Sequence, residues 1–132
     1  MRNAIIALLG DVELAGGWAT PFEVDSGQMP RTPFGIVRLA DAFTHTRVIE
    51  MERVVVEVYI HDRRVVKGKR MIASYASIDA ALKEVYTALN GAKLDEGYTR
   101  LAYDSTSPDL MDDGWGTIFK FARYTCVRSH NA

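Results

Sequence analysis

The sequence has 132 residues, 48% of them hydrophobic and 25% charged, which is the size and composition of one globular domain spanning residues 1–132. Its 16 Lys and Arg against 17 Asp and Glu leave a net charge of −1, which excludes an overall attraction to nucleic acid or to an anionic membrane. The single cysteine, Cys126, excludes an internal disulfide and a cysteine-rich metal site, and an unpaired thiol suits a reducing cytoplasm.

The N-terminal segment predicts a short amphipathic helix over residues 3–14. Its apolar residues recur at helical spacing: Ile5, Leu8, Leu9 and Val12. Asp11 and Glu13 interrupt the apolar run, which argues against a signal peptide, and no segment approaches the length of a membrane span. The glycine pair at positions 16 and 17 is expected to end the helix. The prolines that follow predict an extended loop over residues 17–33.

Two strands are predicted after this loop, over residues 34–40 and 53–61. In the second strand one face is wholly apolar, since it carries Val54, Val56, Val58 and Ile60. The alternating residues form a mixed face, which is typical of an antiparallel sheet with one side on the core. The connection that follows, residues 62–70, is basic and shows little periodicity.

A long amphipathic helix is predicted to end at Asn90-Gly91. Its start is open between Met71, where the apolar stripe begins, and Ser77, which could cap a helix with Asp79 in its first turn. Two further strands, over residues 98–104 and 117–127, flank a turn-rich loop over 104–116, and the tail 128–132 is expected to fray. The element order predicts an α+β fold: a four-stranded, mostly antiparallel sheet with the long helix packed on it and a short N-terminal helix.

The histidines offer the only candidate for acid-base or metal chemistry. His45 and His61 would approach each other if the first two strands formed a hairpin, and Glu57 or Asp62 could add a carboxylate. Their spacing is not that of a known metal motif, so polar surface histidines are the favoured interpretation. No catalytic site and no metal site are predicted.

Cofactor motifs are also missing from the sequence. Gly68-Lys69-Arg70 resembles the end of a phosphate-binding loop, but the upstream glycine and the following Ser or Thr are absent. Cys126 falls inside a predicted strand, where a buried hydrophobic role is favoured over a reactive thiol. We therefore expect a protein that is not an enzyme and that binds no cofactor.

Two segments of opposite charge are candidate interaction surfaces. The basic cluster places five positive charges within eight residues: Arg63, Arg64, Lys67, Lys69 and Arg70. The acidic cluster follows the long helix and comprises Asp104, Asp109, Asp112 and Asp113. Opposite patches on a near-neutral domain predict a head-to-tail contact between subunits, the kind that closes a ring. The alternative is that each cluster is independently solvated.

Aromatic residues are a further candidate interface. Trp18, Trp115, Phe119 and Phe121 could all contribute to one. Core packing is the favoured location for Phe119 or Phe121, whereas Trp115, which follows an Asp-Asp-Gly turn, is expected to be more exposed.

The chain resembles the tail terminator, or tail-completion, proteins of bacteriophages with long, non-contractile tails. The resemblance covers the N-terminal helix with its glycine stop and the run Pro30-Arg31-Thr32-Pro33-Phe34, which leads into Ile36-Val37-Arg38-Leu39. It continues through residues 54–59, 75–82 and 118–124. These are similarities of residue type and order rather than a catalytic signature.

The resemblance implies a virion structural protein at the head–tail junction, present in the host cytoplasm during assembly. Such a protein forms a homo-oligomeric ring, expected to be a hexamer, on the last ring of tail tube protein. The ring stops tube growth and offers a docking surface to the head-side connector protein. Genomic DNA passes through it without specific binding, so an acidic lumen is expected because it repels phosphates.

Other classes of function stay open at this stage. A head-completion protein or a tail-tube subunit would share the assembly logic with different neighbours. A small enzyme would need His45 and His61 to converge on a carboxylate. A nucleic-acid-binding module would need Arg63 and Arg64 to contact phosphates.

Overall fold

Two helices and eight strands form the part of the chain that the computed structural model describes, residues 1–20, 23, 27, 29–45, 50–67, 70–72, 75–95 and 97–129. The helices are α1 (Arg2–Leu8) and α2 (Ala76–Leu89). The strands are β1 (Trp18–Ala19), β2 (Phe34–His45), β3 (Glu50–Arg63), β4 (Val65–Lys67), β5 (Arg70–Ile72), β6 (Ala102–Thr106), β7 (Leu110–Asp112) and β8 (Thr117–Ser129). In this part of the chain no helix is long and apolar enough to cross a membrane.

The main sheet has six strands in the order β1-β2-β3-β8-β6, and β7 also pairs with β8. Strands β2, β3 and β8 form the long antiparallel centre, while β6 and β7 follow one another along the outer edge of β8. The fold is α+β as predicted, but the prediction of four strands is wrong by two. The two strands of this sheet that were not predicted, β1 and β7, have two and three residues, too few to show a periodicity in sequence.

The short strand β1 lies within the predicted extended loop, residues 17–33. It pairs in parallel with β2, with Trp18 opposite Gly35 and Ala19 opposite Ile36, so the sheet is mixed. The rest of its ladders are antiparallel, in agreement with the prediction. Backbone pairing with Gly35 and Ile36, near the start of β2, makes these two residues a strand although the local sequence is typical of a loop.

The N-terminal helix is shorter than predicted. It ends at Leu8 rather than at residue 14, because Gly10 and Asp11 are poor helix formers. The chain continues in turns, in which the Val12 N–H donates to the Leu9 carbonyl at 2.9 Å. The apolar stripe is nevertheless buried at Ile5, Leu9 and Val12.

Helix α2 begins at Ala76 with Tyr75 as its N-cap residue, between the two predicted starts. A start at Met71 is wrong because Met71 lies in β5, paired with Val66. Ser77 does not cap the helix; its hydroxyl donates instead to Asp62 at 2.7 Å. The predicted stop is confirmed, since the helix ends at Leu89 and Gly91 follows with a φ of +81°.

The main core lies between α1, α2 and one face of the sheet. The predicted apolar face of β3 is buried there in full, against the buried residues of α2 and β8: Val54, Val56, Val58, Ile60, Ile78, Leu82, Val85, Leu89, Ile118, Tyr124 and Cys126. The predicted burial of Cys126 is therefore confirmed, and burial raises the pKa of its thiol. A second, smaller cluster lies on the opposite face of the sheet: Ala19, Phe34 and Ile36.

The last strands differ from their predicted bounds. The strand predicted over residues 98–104 starts at Ala102, although Tyr98 forms an isolated bridge with Arg128 and the Thr99 N–H donates to the Val127 carbonyl. The ladder is interrupted at Leu101, whose N–H donates to the Ala92 carbonyl. The predicted frayed tail begins later than residue 128, since Arg128 and Ser129 belong to β8 and pair with Glu52 and Met51 of β3. The tail residues 130–132 lie outside the described residues.

Candidate functional site

The predicted basic cluster is built on a small hairpin rather than on an irregular connection. Arg63 ends β3, Lys67 ends β4 and Arg70 begins β5, with Lys67 and Arg70 opposite each other in the β4–β5 ladder. The valines at positions 65 and 66 favour this pairing because β-branched residues suit strands. Lys69 lies outside the described residues.

The basic and acidic clusters meet within one chain. Arg64 forms an ion pair with Asp113 at 2.8 Å, and the Arg64 side chain is 18% exposed whereas that of Asp113 is 93% exposed. Such a pair contributes little to stability because water screens one partner almost completely. The predicted contact between the two clusters of different subunits stays a prediction, and Asp113 is accessible enough to take part in one.

Arg63 lies at a cleft of about 590 Å³ beside the N-terminus of α2. Arg31 lines the same cleft together with Asp62 and Ser77. The Asp62 carboxylate is engaged locally, since it accepts hydrogen bonds from the Ser77 hydroxyl and the Arg63 N–H.

The other acidic residues are distributed along the β6–β7 edge of the sheet. Asp104 is the extra residue of a bulge in β6, where Tyr103 and Ser105 pair with successive residues of β8. Asp109 lies 3.5 Å from Lys120, which also contacts Asp79 at 2.7 Å. Hydrogen bonding to Asp79, with a smaller contribution from Asp109, raises the pKa of Lys120. The Asp112 carboxylate accepts the Trp115 N–H at 3.1 Å and fixes the turn after β7.

The two candidate histidines do not converge. In the β2–β3 hairpin His45 pairs with Glu50 and His61 pairs with Phe34, which puts the histidines at opposite ends of the ladder. Glu57 is engaged by Arg123 at 2.9 Å. Among the described residues no group of three or more His, Cys, Asp or Glu could hold a metal ion. His130 lies outside the described residues.

His61 is instead buried in an aromatic stack on the sheet face opposite α2. Its ring lies between Phe34 and Phe119, with centroid distances of 4.9 Å and 4.7 Å and interplanar angles of 2° and 18°. Its Nδ1 lies 3.2 Å from the Thr117 hydroxyl. Burial lowers the pKa of His61 to about 4, although the nearby Asp112 carboxylate acts in the opposite direction.

The same sheet face carries further aromatic and charged side chains. Tyr59 packs on Phe121 at a centroid distance of 4.7 Å, and the guanidinium of Arg123 lies 5.9 Å from the Phe121 ring. The prediction that Phe119 or Phe121 packs in the core is wrong: both are half-buried on this second face. Trp115 is half-buried as well, since it packs over Phe34 at 5.8 Å. In β8, Ile118 and Ala122 alternate with Phe119 and Phe121. This alternation indicates two faces of the strand, one in the main core and one on the opposite side of the sheet.

A further cleft, which the sequence did not predict, lies between α2 and the strands β6 and β8, and we call it the tyrosine cleft. Tyr86 of α2, Tyr103 of β6 and Tyr124 of β8 surround a cleft of about 350 Å³. Their rings meet edge to face, with centroids 5.6 Å apart for Tyr86 and Tyr103 and 5.7 Å apart for Tyr103 and Tyr124. The three residues come from three separate elements, so no sequence pattern joins them.

Tyr124 is fully buried, and its hydroxyl has no hydrogen-bond partner among the described residues. Burial raises the pKa of this hydroxyl. We expect Tyr124→Phe to leave the free energy of unfolding unchanged or to increase it by about 1 kcal/mol, because an unpaired polar group is removed from the core.

Tyr75→Phe is the matched control for this substitution. The Tyr75 hydroxyl donates to the Leu110 carbonyl at 3.0 Å, so its loss should lower stability by about 1 kcal/mol. Urea denaturation of both variants measures the difference. A loss for Tyr124→Phe as large as that for Tyr75→Phe would contradict the absence of a partner.

No protein-family model matches the sequence, and no curated protein matches it either. Solved structures do match. A chain of the virion of a native gene transfer agent particle aligns with a TM-score of 0.61 over 95% of this chain and 84% of that chain. The two sequences are 14% identical. The protein therefore shares its α+β fold with a chain of that virion.

Proposed function

We propose that this protein is a structural component of a phage-like virion and acts as a tail terminator. In this role it forms a ring on the end of the tail tube, stops tube polymerisation and presents a docking surface for the head connector. The observation that carries the proposal is the fold shared with a gene transfer agent virion chain over 95% of this chain. The similarity of residue pattern to tail terminators gives the more specific assignment.

The arrangement of the surfaces supports a role in assembly. The role needs contacts with other copies, with the tube and with the connector, and it requires no catalysis. One face of the sheet is covered by α2, whereas the other carries a band of half-buried aromatic and charged side chains. A ring subunit needs such chemically different sides, because its two axial neighbours are different proteins.

Electron microscopy of the purified protein mixed with isolated tail tubes tests the proposal. Rings with a central hole, or tubes capped at one end, are the expected result. Protein that leaves tube ends bare but binds head-side connectors would replace the terminator role with that of a head-completion protein. Incorporation along the tube would identify a tube subunit.

We expect reversal of two acidic residues on the β6–β7 edge to impair function. In the ring they line the lumen or a subunit contact, where positive charge would hold DNA phosphates or repel a neighbour. The double variant Asp104→Lys with Asp109→Lys should therefore reduce ring formation or the titre of infectious particles. Glu13→Lys with Glu84→Lys is a control with the same change in net charge at exposed positions elsewhere. Equal titres for both double variants would remove the acidic edge from the proposal.

A further inference from the structure

Three exposed apolar side chains lie along one edge of the fold. Met111 of β7 is 56% exposed, Tyr86 is 46% exposed and Tyr103 is 42% exposed, and Met111 is the most exposed large hydrophobic residue of the described chain. Both β6 and β7 pair with β8, but Tyr103 lies opposite Tyr124 whereas Met111 lies opposite Ile118, six residues away along β8, so Met111 is separate from the tyrosine cleft. Tyr86 and Tyr103 contact each other and form one exposed apolar patch, the kind of surface that marks an interaction site.

The tyrosine cleft has the features of a receptor for one side chain. Leu82 and Ala122 add apolar wall to the tyrosine rings. The Tyr124 hydroxyl, buried and without a partner among the described residues, can donate one hydrogen bond to an acceptor that enters. Two charged residues also line the cleft: Asp79, which is paired with Lys120 at 2.7 Å, and Lys83, whose ammonium forms no ion pair in the described part of the chain. The occupant should therefore combine an apolar body, a weak acceptor and nearby negative charge.

Met111 meets these three requirements. Its thioether is apolar, packs well against aromatic rings and accepts weak hydrogen bonds. Asp109 and Asp113, on either side of it, have basic partners in Lys120 and Arg64. The adjacent Asp112 carboxylate forms no ion pair among the described residues, so it provides the charge opposite to Lys83. The turn formed by Asp112 and Trp115 holds this segment in place, which limits the entropy lost on binding.

We propose that two copies of this chain associate by insertion of Met111 from one copy into the tyrosine cleft of another. The donor residue and the cleft are different patches, so the contact can repeat from copy to copy. The bulge at Asp104 breaks the regular edge of β6, which disfavours simple strand addition and leaves the contact to side chains. The inference rests on the self-association in the proposed function and names the residues that carry it.

Chemical cross-linking between two single-cysteine variants tests the contact. Lys83→Cys and Met111→Cys, each made in a Cys126→Ala background, are mixed and treated with a short bismaleimide, with and without tail tubes. A product that joins position 83 of one copy to position 111 of another is expected, in larger amount than the product from either variant alone. A chain that is oligomeric or bound to tubes without this product would overturn the proposal, and so would a chain that stays monomeric under both conditions.

Sedimentation of full-length variants provides the second measurement. Met111→Glu and Tyr86→Ala should each raise the dissociation constant of the assembly about tenfold, the scale of a buried anchor residue. Met29→Glu, at an apolar residue that is 43% exposed in another part of the chain, should leave it unchanged. Equal effects of Met29→Glu and Met111→Glu would contradict the contact.

The two proposals fail in different ways. Capped tubes without the 83–111 product would retain the tail terminator role and remove this contact. The 83–111 product without capped tubes would retain the contact and remove the terminator role.

Discussion

Gly16→Ala is expected to lower the free energy of unfolding by about 3 kcal/mol, at the upper end of the cost of overpacking. A Cβ atom at this position would overlap the carbonyl oxygen of Arg31, which is backbone and cannot rotate away. The Gly16 N–H also donates to the Pro33 carbonyl at 2.8 Å. The added methyl group would therefore push apart two segments that a hydrogen bond holds together.

Urea denaturation of this variant beside Gly114→Ala measures the effect. The Cβ of Gly114→Ala would meet only the Asp112 carboxylate, at 3.3 Å, and that side chain can shift. The control should therefore change stability by less than about 1 kcal/mol. Similar losses in the two variants would show that the approach of Gly16 to Arg31 does not limit stability.

The role of Gly16 illustrates what the local sequence could and could not predict. The glycine pair was expected to stop the first helix, but the helix ends eight residues before Gly16. The glycine is needed because residues 31–33 pass against it, a contact between segments separated by 15 residues or more in sequence. Local propensity carries no information about such a partner, so the parallel pairing of Trp18 with Gly35 could not be predicted either.

The alternation of residues in β3 predicted burial correctly, because a period of two is a property of the strand itself. Val56 and Val58 are fully buried, as expected from that pattern. The expectation that His61 is a surface histidine is wrong for a different reason: the strand register, which the local sequence does not specify, places it opposite Phe34, and it is buried there. The ion pair of Arg64 with Asp113 likewise joins two segments that are far apart in the sequence, so no local pattern predicts it.

We expect the stability of the protein to fall by about 3 kcal/mol between pH 6.5 and pH 4 because of His61 alone. Burial lowers its pKa from the ordinary 6.5 to about 4 in the folded state. Above pH 6.5 the ring is neutral in both states and its contribution to stability is complete. As the pH falls toward 4, the unfolded chain binds a proton that the folded protein does not, which favours unfolding. Below about pH 4 both states are protonated, and His61 causes no further loss.

The double variant His61→Phe with Thr117→Val isolates this effect. It removes both members of the buried hydrogen bond and keeps an aromatic ring between Phe34 and Phe119, so neither polar atom is left unpaired. Urea denaturation at pH 7, 6, 5 and 4.5 should show a shallower decline of stability with falling pH for this variant than for the wild type. His45→Gln, which changes a histidine at the far end of the hairpin, should keep the wild-type decline. If the double variant and the wild type lose stability in parallel, His61 is protonated in the folded protein, and the aromatic stack does not exclude the charged ring.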